Sequence, residues 1–167
     1  MSTRIAMIFI LFAVAPPCAV AQSTVLIVRH AERADAGSRG GMTSAADPDL
    51  SAAGRARALS LAAALKDAAI TAIFATEYRR TQQTAAPLAK ALRLTVVTIP
   101  SRDVQELVAR VNAAPGNVLV VGHSNTIPEV IKSLGVDARV EIADSQYDNL
   151  FIITRAQKTA LLRLHYR

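Results

Sequence analysis

Two short, unbroken apolar runs stand out along the chain, Val25-Leu26-Ile27-Val28 and Val118-Leu119-Val120-Val121. Neither alternates polar with apolar residues, so each predicts a strand covered on both faces, as in a parallel sheet between layers of helix. Ile70–Ala75 and Leu94–Ile99 add two further strands. Between the strands the pattern turns helical: Arg55–Ala69, dense in alanine and leucine and preceded by Ser51 as a possible cap; Arg79–Leu92, with a kink or local break expected at Pro87; Asp103–Asn112, with Ser101 as a possible cap; and Ile127–Leu134, closed by Gly135. Arg33–Leu50, with Gly37, Gly40, Gly41 and Pro48, reads as a loop over a crevice mouth, whereas Val136–Asp144 carries no clear pattern. Asn149–Thr154 and Thr159–Tyr166 read as a hairpin at a sheet edge. Alternating strands and helices require crossovers. The pattern therefore predicts one α/β domain: three layers, α/β/α, with a mainly parallel central sheet and an antiparallel edge hairpin at the C-terminus.

The first 21 residues follow a different pattern. Arg4 precedes the apolar stretch Ile5–Ala15, and Ala19-Val20-Ala21 supplies small residues at the positions a signal peptidase reads. This predicts a signal peptide over 1–21, a domain over 22–167, and an exported protein, periplasmic or secreted. The single cysteine, Cys18, falls inside the segment to be removed, so a cleaved chain has neither a thiol nucleophile nor a thiolate metal site. The formal charge of +6 drops to +5 with the loss of Arg4. That balance suits anionic substrates or simple solubility. With no tryptophan and three tyrosines there is no aromatic-interleaved basic stripe for nucleic acid, and no stable membrane insertion is expected beyond the export signal.

Candidate chemistry sits where strands stop. Arg29-His30 ends the first apolar run, and Gly122-His123-Ser124-Asn125 ends the second, 93 positions later in histidine terms. If the two strands are parallel neighbours, both imidazoles emerge at one end of the sheet, in the crevice where α/β sheets bind ligands. Thr76-Glu77-Tyr78-Arg79-Arg80-Thr81-Gln82-Gln83-Thr84-Ala85 follows a third strand and opens a helix, whose N-terminus favours an anion. An arginine there adds bidentate hydrogen bonds to phosphate oxygens.

These pieces, Arg29-His30-Ala31-Glu32, Leu50-Ser51-Ala52-Ala53-Gly54, Arg80 in its Arg-Thr-Gln-Gln-Thr-Ala context and Gly122-His123, resemble the histidine phosphatase superfamily, the phosphoglycerate-mutase-like group. The resemblance implies a hydrolase that needs no cofactor or metal. His30 would take the phosphoryl group as phosphohistidine, and Arg29, Arg80 and His123 would hold the phosphate oxygens. Ser124 and Asn125 would contact substrate, and Glu32 is a possible acid, with Asp103 and Glu129 as other proton sources. The substrate would be a phosphorylated small molecule or envelope component. An idle phosphate- or phosphoglycan-binding module, or a phosphotransferase to an acceptor other than water, would use the same residues. The glutamate that mutases of the group insert after the third strand is missing from Ile99-Pro100-Ser101-Arg102-Asp103-Val104, and the asparagine that mutases place six positions after the nucleophile is Ala36. The chain is therefore more similar to the small, compact phosphohistidine-phosphatase branch, and a site without an acid suits an anhydride, phosphoramidate or activated ester.

Overall fold

The structure, a computed structural model, describes residues 23–35, 47–155 and 159–166. The expected signal peptide and the middle of the Arg33–Leu50 loop lie outside the described residues. Ten elements follow in chain order: β1 (Ser23–Arg29), α1 (Ala52–Leu65), β2 (Ile70–Ala75), α2 (Arg79–Leu92), β3 (Val96–Thr98), α3 (Val104–Ala113), β4 (Asn117–Gly122), α4 (Ile127–Ser133), β5 (Asn149–Arg155) and β6 (Ala160–His165). The strands form one six-stranded sheet in the order β3-β2-β4-β1-β5-β6. The first four strands of that order run parallel, while β5 and β6 pair antiparallel at the edge.

The two uninterrupted apolar runs are the central neighbours β1 and β4. Val25 and Ile27, with Val118 and Val120, pack with α3 and α4 side chains such as Val108 and Ile131. Leu26 and Val28, with Leu119 and Val121, pack on the opposite face with Leu61 of α1 and Leu88 of α2. Because each run alternates between two buried faces, neither Val25–Val28 nor Val118–Val121 contains a polar residue. The first polar side chains after the runs, Arg29 and His123, mark where the helical cover ends.

Ser51 caps α1 as expected, its hydroxyl accepting from the Gly54 amide at 3.0 Å. Other local details depart from the sequence reading. α1 ends at Leu65 rather than Ala69, and Ala69 adopts a left-handed φ of 49° where the chain turns into β2. α2 runs through Pro87 without the expected break, held by buried Ala85, Leu88 and Ala89 on either side of it. Asp103, not Ser101, caps α3: its carboxylate accepts from the Glu106 amide at 3.0 Å, while Ser101 is taken up by Glu77.

Gly54 fixes α1 to the site. A Cβ built there would overlap the Glu32 carbonyl oxygen and lie 3.0 Å from the Glu32 nitrogen, and the same carbonyl accepts from the Ser51 amide at 2.9 Å. Backbone touches backbone here, so neither side can yield like a flexible side chain. Gly54→Ala is expected to destabilise the domain by about 1–3 kcal/mol, outweighing the helix propensity that alanine brings. A urea midpoint at or above that of the parent would refute this.

Candidate active site

The C-terminal ends of β1, β2 and β4 build the site. Arg29 pairs with Gly122 in the parallel ladder, and the His30 amide donates to the Gly122 carbonyl at 2.9 Å. The two imidazoles are thereby delivered side by side, ring centroids 5.3 Å apart and planes at 60°.

His30 is oriented by its own backbone. Its Nδ1 lies 2.7 Å from the Ala31 carbonyl oxygen. A carbonyl only accepts, so Nδ1 carries the proton and Nε2 presents a bare lone pair. Nε2 has no hydrogen-bond partner among the described residues and is not sealed from solvent. Burial depresses the pKa of His30 to about 3, aided by the charges of His123, Arg29 and Arg80 and opposed by the Ala31 carbonyl. His123 is lowered to about 4, again mainly by burial and then by Arg80 and Arg29, against Glu77 and Asp47. Both rings are neutral at physiological pH.

Arg29 is buried at 7% exposure, and its Nη1 donates to the carbonyls of Ala143, Asp144 and Gln146 at 3.0, 3.0 and 3.2 Å. Its guanidinium lies 4.2 Å from the centre of the Tyr147 ring, which sits 6.0 Å from the His30 ring. The segment without a sequence pattern is thus latched across the site by Arg29. Arg80 lies over the Tyr78 ring at 4.1 Å, and Tyr78 meets His123 edge-on at 5.2 Å. Asp47 Oδ1 is 3.5 Å from Arg80 Nη1, and the Asp47 carboxylate accepts from the Arg79 amide at 3.0 and 2.9 Å. The Nε atoms of Arg29 and Arg80 are both buried without a hydrogen-bond partner. Two guanidinium groups with buried, unsatisfied Nε donors beside neutral imidazoles make a pocket suited to an anion. Arg79 turns outward to Asp49 at 2.7 Å, so Arg80 is the inward arginine.

The softer sequence assignments fare differently. Ser124 is half-buried and Asn125 exposed in the turn after His123. Ser124 does not cap α4, whose N-cap residue is Thr126. Glu32 is spent on Arg57, which donates from Nε to both carboxylate oxygens at 2.9 and 3.0 Å and from Nη2 to one at 2.7 Å. Those bonds hold its pKa below the usual carboxylate range against the opposing effect of burial, which leaves it ionised and a poor proton donor. Glu77 is likewise held low, by hydrogen bonds that include the amide and hydroxyl of Ser101 at 2.7 and 3.0 Å, again against burial. Sequence reasoning missed Thr76, Tyr78, Asp47 and Tyr147. Only Thr76 carried a usable signal, as a polar residue directly after a buried strand. Among the described residues there is no cluster of metal-ligating side chains, and no helix is long and apolar enough to cross a membrane.

The depressed pKa values make the fold acid-sensitive. A group whose folded pKa lies below its unfolded one binds more protons unfolded, so its contribution is lost as pH falls. Stability is expected to decline first between pH 6.5 and about 4 to 3, through His30 and His123, and then further as Glu32 protonates. Urea midpoints across that range check it: a double His30→Asn, His123→Asn variant should show a flatter decline above pH 5. An equally steep decline would assign the effect elsewhere.

Residues 25–106 match the profile of the histidine phosphatase superfamily (branch 1). No curated protein matches the chain in sequence. Solved structures share the fold: the alpha-ribazole phosphatase from Shigella flexneri (19% identity, TM-score 0.69, covering 85% of this chain and 96% of that one); a mycobacterial glucosyl-3-phosphoglycerate phosphatase in complex with VO3 (17%, 0.66, 83% and 97%); and the protein histidine phosphatase SixA in complex with tungstate (17%, 0.65, 85% and 96%).

Proposed function

We propose that this member of the histidine phosphatase superfamily is an exported phosphatase that works through a phosphohistidine on His30 and needs no metal. The observation that carries the reading is the His30 ring, pinned through Nδ1 with Nε2 bare, beside two guanidinium groups whose buried Nε donors have no partner. A phosphoryl group placed there meets a nucleophile on one side and fixed positive charge around its equatorial oxygens, which is most of what phosphoryl transfer asks of a protein. The Nε2–P bond forms as the bond from phosphorus to the leaving atom breaks. Water then attacks phosphorus, the Nε2–P bond breaks, and inorganic phosphate departs. Vanadate and tungstate accompany two of the structures that share this fold, and both are oxyanions of phosphate-like charge. Export rests on the apolar segment Ile5–Ala15 and the Ala19-Val20-Ala21 pattern.

The acids near the site narrow the substrate. All 13 aspartates and glutamates of the chain fall within the described residues. Of those around the two imidazoles, Glu32 is bound to Arg57, Glu77 to Ser101 and Asp47 to the start of α2. Asp103 is an exposed helix cap, and Glu129 is exposed on α4. A leaving group that departs without a donated proton fits this arrangement: a phosphoramidate, an anhydride or an activated ester. Turnover of a series of phosphate esters, an acyl phosphate and a phosphoramidate should rise steeply with leaving-group acidity and be unaffected by a chelator. Equal rates on alkyl and activated esters, or inactivation by chelator, would refute the reading.

A further inference from the structure

His123 reaches the site through a chain of hydroxyls that the mechanism above does not use. Its Nε2 is 2.9 Å from Thr76 Oγ1, which is 2.9 Å from Thr81 Oγ1. Thr81 Oγ1 is in turn 2.7 Å from the Tyr78 carbonyl and 3.0 Å from the Thr76 carbonyl. Thr81 is fully buried and Thr76 is 8% exposed, so water does not compete. Carbonyl oxygens only accept, and an oxygen pair at 2.7 Å without an intervening proton is repulsive. The Thr81 proton therefore points to the backbone, the Thr76 proton points to Thr81, and the one group left to donate to Thr76 is His123 Nε2–H.

We propose that Thr76 and Thr81 are positioning residues that fix neutral His123 as its Nε2–H tautomer, so that Nδ1 enters the site as a lone pair and becomes a donor only when a phosphoryl group brings it a proton. Nδ1 has no partner among the described residues and is not sealed from solvent. The step balances: a substrate entering as the monoanion breaks its P–O–H bond, Nδ1–H forms, and a dianionic phosphoryl group is left against an imidazolium. The surroundings set its direction. Burial, with Arg80 from α2 and Arg29 from the end of β1, opposes charge on the free ring, whereas Glu77 after β2 and Asp47 ahead of α1 favour it, and the rings of His30 and Tyr78 meet it edge-on. Two negative charges arriving beside both arginines tip that balance. The inference rests on the phosphatase reading only for this last step; the tautomer belongs to the free protein.

The test is long-range proton–nitrogen correlation on the nitrogen-15-labelled full chain at neutral pH. In the free protein, His123 is expected to carry its proton on Nε2, and inorganic phosphate should move Nδ1 into the protonated range. Thr81→Val keeps the shape but frees the Thr76 proton to turn toward Nε2, so the tautomer should invert to Nδ1–H. Thr76→Ser should keep the parent signature, and Thr76→Val should lose it. A free parent protein with the proton on Nδ1, or an unchanged tautomer in a folded Thr81→Val, overturns the proposal even if phosphate binds and turns over. The expected tautomer with no phosphate response would leave the relay standing and count against the phosphatase reading instead.

Discussion

His30→Ala is expected to abolish turnover, lowering kcat by about 10⁴-fold or more, because it removes the group that forms the covalent intermediate rather than one that assists it. The fold should survive. His30 contributes one side-chain hydrogen bond, to the neighbouring Ala31 carbonyl, and its burial in the folded state already costs stability wherever the unfolded chain would protonate it. The variant should therefore lose less stability between pH 7 and pH 5 than the parent does. Quenched single turnover of a labelled activated ester is the direct measurement. Acid-labile, base-stable phosphate should appear on the parent protein and be absent from His30→Ala. Label that persists in the variant would place the nucleophile elsewhere.

The central half of this site could be read from residues alone because it depends on strands covered on both faces. Such strands exclude polar side chains until they leave the helical layers, so Arg29-His30 and Gly122-His123 announce the same end of the sheet. The pairing of Arg29 with Gly122 is the register that the idea needs. What surrounds the imidazoles was less legible, for reasons that differ from residue to residue. Thr76 matters only because β2 lies against β4, an adjacency that order along the chain does not specify. Tyr147 arrives on a stretch recognised by Arg29 through backbone carbonyls, and any residue type supplies a carbonyl. Asp47 reaches α2 from 32 positions away to accept from Arg79, a cap that no local spacing encodes. Ser101 was the expected cap for α3, but Asp103 takes that role. Glu77 occupies Ser101, a competition visible only in three dimensions.

Arg80→Ala should reduce kcat/KM by about 10²–10³-fold, the scale on which single preorganised charge donors act in a desolvated site. The argument is one of state as much as charge. The Arg80 side chain is 12% exposed, and it is stacked on Tyr78 with a buried Nε that bonds nothing. Its cost is already incurred in the free protein, and an oxyanion recovers it. Because the same pocket receives substrate and transition state, KM should rise as kcat falls. Arg80→Lys should restore only part of the loss, since an ammonium lacks the planar fork that meets two oxygens at once. The acid limb of kcat/KM should also move toward higher pH in Arg80→Ala, because Arg80 helps keep both imidazoles neutral. The shift will be modest, as burial is the larger cause at each ring. Arg79 supplies the control: 62% exposed and paired with Asp49, it should tolerate alanine with less than about a threefold change. Comparable losses at the two positions would mean that the anion is held by the start of α2 as a whole, and that the inward guanidinium is not what recognises it.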